Sequence, residues 1–195
     1  MPIDRLSINL IARGDQKKFR QLIESTSDEL FLFALSFLRK KEVAEEIVSD
    51  VFVKTWENRS ELGKINNLKA YLFVSVKNAC LSHLRKEKNN KTVSIDGMED
   101  FWFIPVEGPE NEYIDKESLE QINKAIDLLP PKCKLAFTLA KINGLRYREI
   151  AGVMNVSEKT VNNHLVYAIK KITATLGIKN NKNQKTSRFK QASIF

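Results

Sequence analysis

Six polar side chains lie within a short C-terminal stretch: Ser157, Lys159, Thr160, Asn162, Asn163 and Lys170. An asparagine amide can exchange two hydrogen bonds with the edge of adenine, and a lysine ammonium can reach guanine or a phosphate. That chemistry is recognition, not bond making. It requires a rigid element that turns these side chains outward together.

The surrounding sequence, GLRYREIAGVMNVSEKTVNNHLVYAIKKI (residues 144–172), supplies that element. Tyr147 to Met154 predicts one helix, with Ile150 and Met154 a turn apart and Ala151 small enough to let a second helix cross closely. Asn155 falls at the turn, where asparagine tolerates the left-handed conformation better than most residues. Val156 plugs the corner, and Ser157 is a good N-cap for a second helix. On that helix Val161, Leu165, Ala168, Ile169 and Ile172 recur at helical spacing and predict its buried face. Lys159, Asn163, Val166 and Lys170 then point away, with Asn162 on the flank. This is a helix-turn-helix pattern, which lays its second helix in the DNA major groove.

The chain has 195 residues, of which 43% are hydrophobic and 29% charged, with only 7 Gly and 5 Pro. That balance favours helices over sheets in a chain able to bury real cores. The net charge of +8 fits a polyanionic partner, nucleic acid or an anionic membrane surface. The charge is uneven. Residues 1–90 hold 16 Lys/Arg against 12 Asp/Glu, residues 91–115 hold 1 against 7, and residues 116–195 hold 15 against 5. Two basic blocks therefore flank an acidic segment.

No run approaches the roughly 18 apolar residues of a membrane span, and the N-terminus lacks the pattern of a secretory signal. A cytoplasmic protein with no membrane insertion is expected. Cys80 and Cys133 sit in different blocks within apolar helical patterns and read as reduced, buried thiols. Neither they nor His83 and His164 have zinc-ligand spacing. No phosphate-cradling glycine loop, paired carboxylates or nucleophile motif is found. No catalytic residue, cofactor or metal is therefore expected, and the chain does not read as an enzyme.

Helical periodicity runs from Asp15 to Leu38, with a possible break near Ser25–Ser27, and again from Glu42 to Glu61 before Gly63. The apolar row of the second segment is Ala44, Ile47, Val48, Val51, Phe52 and Trp56. A third helix is predicted over Asn66–Lys88, with Leu68, Leu72, Val76, Ala79 and Leu84 inward. Helix resumes over Ile114–Leu129, and Pro131 is placed to open another that closes at Gly144. The expected fold is all-α: two small helical domains, residues 1–90 and 114–178, joined by a flexible acidic linker, 91–113. The apolar linker patch Phe101–Val106 could dock on a partner. Residues 179–195 read as a basic disordered tail.

Glu46, Ser49, Asp50 and Glu57 lie off the apolar row of the second helix. This acidic, polar strip suits either a solvated face or a contact surface for a basic partner. At this point the sequence resembles a family. AEEIVSDVFVKTWENR (44–59) looks like the core-polymerase-binding segment of bacterial sigma factors. NLKAYLFVSVKNACLSHLRKEK (67–88) resembles the adjoining region that opens and reads the minus-10 element. LLPPKCKLAFTLAKINGLRYREIAGVMNVSEKTVNNHLVYAIKKI (128–172) resembles region 4, the reader of the minus-35 element. The short linker places the resemblance in the extracytoplasmic-function (ECF) group of the sigma-70 family.

The resemblance implies roles. Glu46, Ser49 and Asp50 would face the basic coiled coil of core RNA polymerase, with Phe52 and Trp56 holding the helix. The Gly63–Leu68 loop would capture a flipped base, with Asn66 and Asn67 reading an edge and Tyr71 stacking or walling the pocket. Lys69, Lys77, Arg85 and Lys86 would hold backbone phosphate, and Asn78 would contact the minus-10 strand. Tyr71 has a second reading as a core aromatic, and Asn78 as a packing amide. Two departures stand out: Ser49 replaces a frequent glutamine, and Ser82 replaces a frequent aspartate. Partners implied are core polymerase, promoter DNA and an anti-sigma factor, often membrane-anchored. The function implied is promoter-specific transcription initiation. The alternatives are an autonomous helix-turn-helix regulator, or a polymerase-binding inhibitor.

Overall fold

The computed structural model describes residues 4–87 and 116–177. The expected linker, its Phe101–Val106 patch and the basic tail lie outside the described residues. The chain divides into two compact units. Among the described residues every regular element is helical.

The first unit begins with α1 (Arg5–Ala12), capped by the Asp4 carboxylate, which accepts from the Ser7 N–H at 2.8 Å. Helix α2 (Gln16–Leu38) is capped in the same way by Asp15. It does not break at Ser25–Ser27. The Ser25 and Thr26 hydroxyls donate back to the Leu22 carbonyl at 3.1 and 2.7 Å, so these residues satisfy their polar groups inside a continuous helix. Arg39 ends α2 in the left-handed conformation, with φ of 56°. Only Arg39 and Lys40 then separate α2 from α3 (Lys41–Glu57).

Helix α3 stops at Asn58, short of the expected Glu61. A 3-10 turn, Arg59–Lys64, follows, and α4 (Leu68–Glu87) completes the unit. Gly63 lies inside the 3-10 turn without a positive φ, and a Cβ there would meet nothing, so it terminates no helix for steric reasons. Helices α2, α3 and α4 pack on one another, while α1 packs on the 3-10 turn and α2. Leu30, Ala34, Ala44, Leu72, Phe73 and Val76 are fully enclosed. The Phe33 ring meets Phe37 at 5.0 Å and Phe73 at 4.9 Å, both edge-on. Phe19 stacks against Trp56 at 4.9 Å, and the Arg59 guanidinium lies 4.8 Å from the indole centre. The expected row of α3 is buried except at Trp56, which is half-buried beneath that cation. On α4, Leu68, Leu72 and Val76 are enclosed as expected, while Ala79 and Leu84 are only half-buried.

The second unit comprises α5 (Lys116–Asp127), α6 (Pro131–Phe137), a π turn over Thr138–Ile142, α7 (Tyr147–Met154) and α8 (Glu158–Thr175). Pro131 opens α6 as expected. Helical backbone then runs to Ile142 through the π turn, and Gly144 closes the segment at φ of +65°. Ala125, Ile126, Leu129, Cys133, Ala168 and Ile172 form a core shared by α5, α6 and α8. Lys134 is buried and reaches Asp127 at 3.2 Å.

The two cysteines are free and buried, one in each unit. Burial pushes the Cys80 thiol up to about 12 and also raises Cys133. The Cys133 Sγ lies 3.5 Å from His164 Nδ1. Burial, with the Lys132 charge, lowers the His164 pKa.

Candidate nucleic-acid interface

The helix-turn-helix is built by local bonds. Glu149 accepts from the Arg146 N–H at 2.8 Å and returns its own N–H to the Arg146 carbonyl, fixing the start of α7. Asn155 takes the left-handed conformation at φ of 56°, and the N–H groups of Asn155 and Val156 both reach the Ala151 carbonyl. Ser157 Oγ accepts from the Thr160 N–H at 3.1 Å, capping α8. Its hydroxyl also contacts Thr160 Oγ1 at 2.8 Å, so two expected DNA contacts first bond each other.

Beyond that cap, Lys159, Asn162, Asn163 and Lys170 are all exposed. Val161, Leu165, Ala168 and Ile172 are buried as the periodicity predicts, but Ile169 is 45% exposed. It lies at the edge of the buried row, only partly covered by the described elements. Val166 and Tyr167 are also exposed, at 43% and 49%.

In the first unit, Glu46, Ser49 and Asp50 stand on the exposed side of α3. Val53, 56% exposed, continues their row toward Glu57. An apolar residue on an acidic strip carries no charge signal, so nothing in the sequence singles Val53 out. Beside the strip, an open groove of about 420 Å³ runs between α2 and α3, floored by Ile23, Phe31, Val48 and Phe52.

The residues expected at the minus-10 element separate into groups. Tyr71, Asn78 and Arg85 are seven residues apart, two turns each, and share one row on α4. Asn78 and Arg85 are exposed, and Tyr71 is half-buried. Lys86, in the last turn, is exposed on a neighbouring row. Asn66 is exposed, while the Asn67 carbonyl oxygen accepts from the Ala70 N–H at 2.9 Å and so begins α4.

Two lysines stand elsewhere than expected. Lys69 pairs with Glu29 of α2 at 2.7 Å. Lys77 is only 6% exposed, on the buried side of α4. Burial lowers its pKa.

One residue outside every expected site organises the loop. The Arg5 guanidinium donates to the carbonyls of Gly63 and, at 2.5 Å, Ile65. It pins the segment just before Asn66 to α1. No helix is predicted here from the sequence; Asp4, a good N-cap residue, is the local signal for α1, but nothing local points to a target some sixty residues away.

Comparisons with known proteins agree with this division. The family described as Sigma-70 region 2 matches residues 22–90, and Sigma-70, region 4 matches residues 119–172. The chain is 25% identical over 154 residues to the ECF RNA polymerase sigma factor SigM of Bacillus subtilis, covering 79% of this chain and 92% of that protein. It is 22% identical over 172 residues to the ECF RNA polymerase sigma-E factor of Escherichia coli, covering 85% and 90%. Two solved structures share the fold. CnrH, in complex with the cytosolic domain of CnrY, has a TM-score of 0.60 at 21% identity, over 91% of this chain and 99% of that one. The sigma factor RpoE of Bartonella quintana, in complex with the anti-sigma factor NepR, has a TM-score of 0.59 at 23% identity, over 84% and 99%. The region 2 match removes the autonomous-regulator reading, which has no use for that unit. Members of this family are transcription initiation factors. The chain belongs to the extracytoplasmic-function group of sigma-70 RNA polymerase sigma factors.

Proposed function

We propose that this chain, as an alternative sigma factor, divides promoter recognition between its two units. The exposed row Glu46–Ser49–Asp50 on α3 meets the basic surface of core RNA polymerase. The Tyr71–Asn78–Arg85 row, with Asn66 beside it, holds the separated minus-10 strand. Extracting a base from the stack costs a few kcal/mol, and the loop held by Arg5 offers a fixed place to receive it. Arg85 and Lys86 attract backbone phosphate. Helix α8 enters the minus-35 major groove, with Lys159, Asn162, Asn163 and Lys170 outward and the Ser157–Thr160 cap at the helix end nearest the backbone. The chain makes no bond itself; the polymerase does the chemistry. It acts in the cytoplasm. An anti-sigma factor occludes the α3 and α8 faces until released.

The observation that carries this reading is the pairing of an exposed acidic row in a region 2 unit with a fully capped helix-turn-helix in a region 4 unit. Run-off transcription on a fragmented genomic template, with core polymerase in the presence and absence of this chain, tests it. New discrete transcripts are expected. Tight polymerase binding without any transcript would instead identify a polymerase-binding inhibitor.

A further inference from the structure

The outward face of α8 contains an anomaly. Val166 is 43% exposed, yet it lies one turn beyond Asn162 and one turn before Lys170. At 1.5 Å per residue it stands about 6 Å along the axis from each, a little under two base steps at about 3.4 Å. Ile169 lies closer to the buried row, and Tyr167, as far outward as Val166 but on the other side of Asn163 and Lys170, ends in a polar hydroxyl. Val166 is therefore the apolar residue set among the polar ones that face away from the core. Helix α8 also contains no arginine, the commonest partner of guanine in the major groove.

The major groove offers a single apolar group, the C5 methyl of thymine. We infer that Val166 is a specificity-determining residue that packs on a thymine methyl within the minus-35 element. Asn162 or Asn163 reads an adenine within two base pairs of that thymine. The element recognised by this chain then centres on A·T pairs, with the lysines on phosphates at either side. The inference rests on the reading of α8 as the minus-35 helix and deepens it to a base preference.

The test uses the full chain assembled with core polymerase. A pool of promoter duplexes randomised across the minus-35 region is selected for binding. Each thymine of the enriched element is then replaced by uracil, which removes only the methyl. Burial of one such carbon is worth about fourfold in affinity. One position should lose that factor with wild-type protein. Val166→Ala should bind the thymine duplex about as weakly as wild type binds the uracil one, and should not distinguish the two. Alanine favours helix at this exposed site, so folding is retained and is checked by thermal melting. An enriched element with no uracil-sensitive position overturns the inference alone, as does a Val166→Ala variant that still senses the methyl. A selection that enriches nothing overturns the reading of α8, and the inference with it.

Discussion

Replacing Arg5 by alanine removes both bonds that tie α1 to the carbonyls of Gly63 and Ile65. Hydrogen bonds from a charged donor contribute about 1.5–3 kcal/mol when well shielded. Arg5 is exposed, so solvent competition cuts the fork to about 1 kcal/mol in total. Arg5 is not part of the acidic row of α3 proposed to meet polymerase, so polymerase affinity should be unchanged. If the loop receives the minus-10 base as proposed, the open-complex equilibrium should fall about fivefold, the factor matching about 1 kcal/mol. Fluorescence of 2-aminopurine placed in the minus-10 strand reads that equilibrium directly. Arg5→Lys should recover only part of it, because an ammonium cannot fork across two carbonyls as a guanidinium does. Wild-type opening by Arg5→Ala, with a measurably lower melting temperature, would show that the clamp stabilises the fold without serving the promoter.

Asn155→Ala should lower the stability of the second unit by about 1–2 kcal/mol, because alanine resists the left-handed conformation, whereas Asn155→Gly should be near neutral; thermal melts followed by circular dichroism compare the two. Phe73→Ala should cost about 3–5 kcal/mol, since the ring is fully enclosed and meets Phe33; denaturant titration measures the loss. His164 should make stability pH-dependent. Its folded pKa is depressed, so the unfolded chain binds the proton first, and stability falls as pH drops below the ordinary value of 6.5 toward the folded pKa. His164→Gln should flatten that slope in melts taken between about pH 5 and 8.

The features that were legible in the sequence are those fixed by neighbouring residues. The Ser157 cap, the Asn155 turn and the buried row of α3 each need only a few positions of context. What escaped depends on distant partners. The end of α3 at Asn58 is set with a 3-10 turn that packs on α1, and no periodicity in the segment records it. The charges of Lys69 and Lys77 are plain in the sequence, but Glu29 on α2 and the packed side of α4 decide where those side chains sit. Ile169 fits the helical period yet is only partly covered, because a buried row is only as wide as the elements that reach it.

The interior sulfur chemistry has a practical side. At pH 7 the Cys80 group, held at about 12, is ionised to about one part in 10⁵, and Cys133 is shielded in its own core. Maleimides and iodoacetamides attack the thiolate, so both natural side chains should label slowly. A cysteine introduced at an exposed position such as Lys54 or Ala174 would then carry a dye at one defined point. Donor and acceptor placed on the two units would make the chain its own molecular ruler, reporting their separation when free and when joined to polymerase.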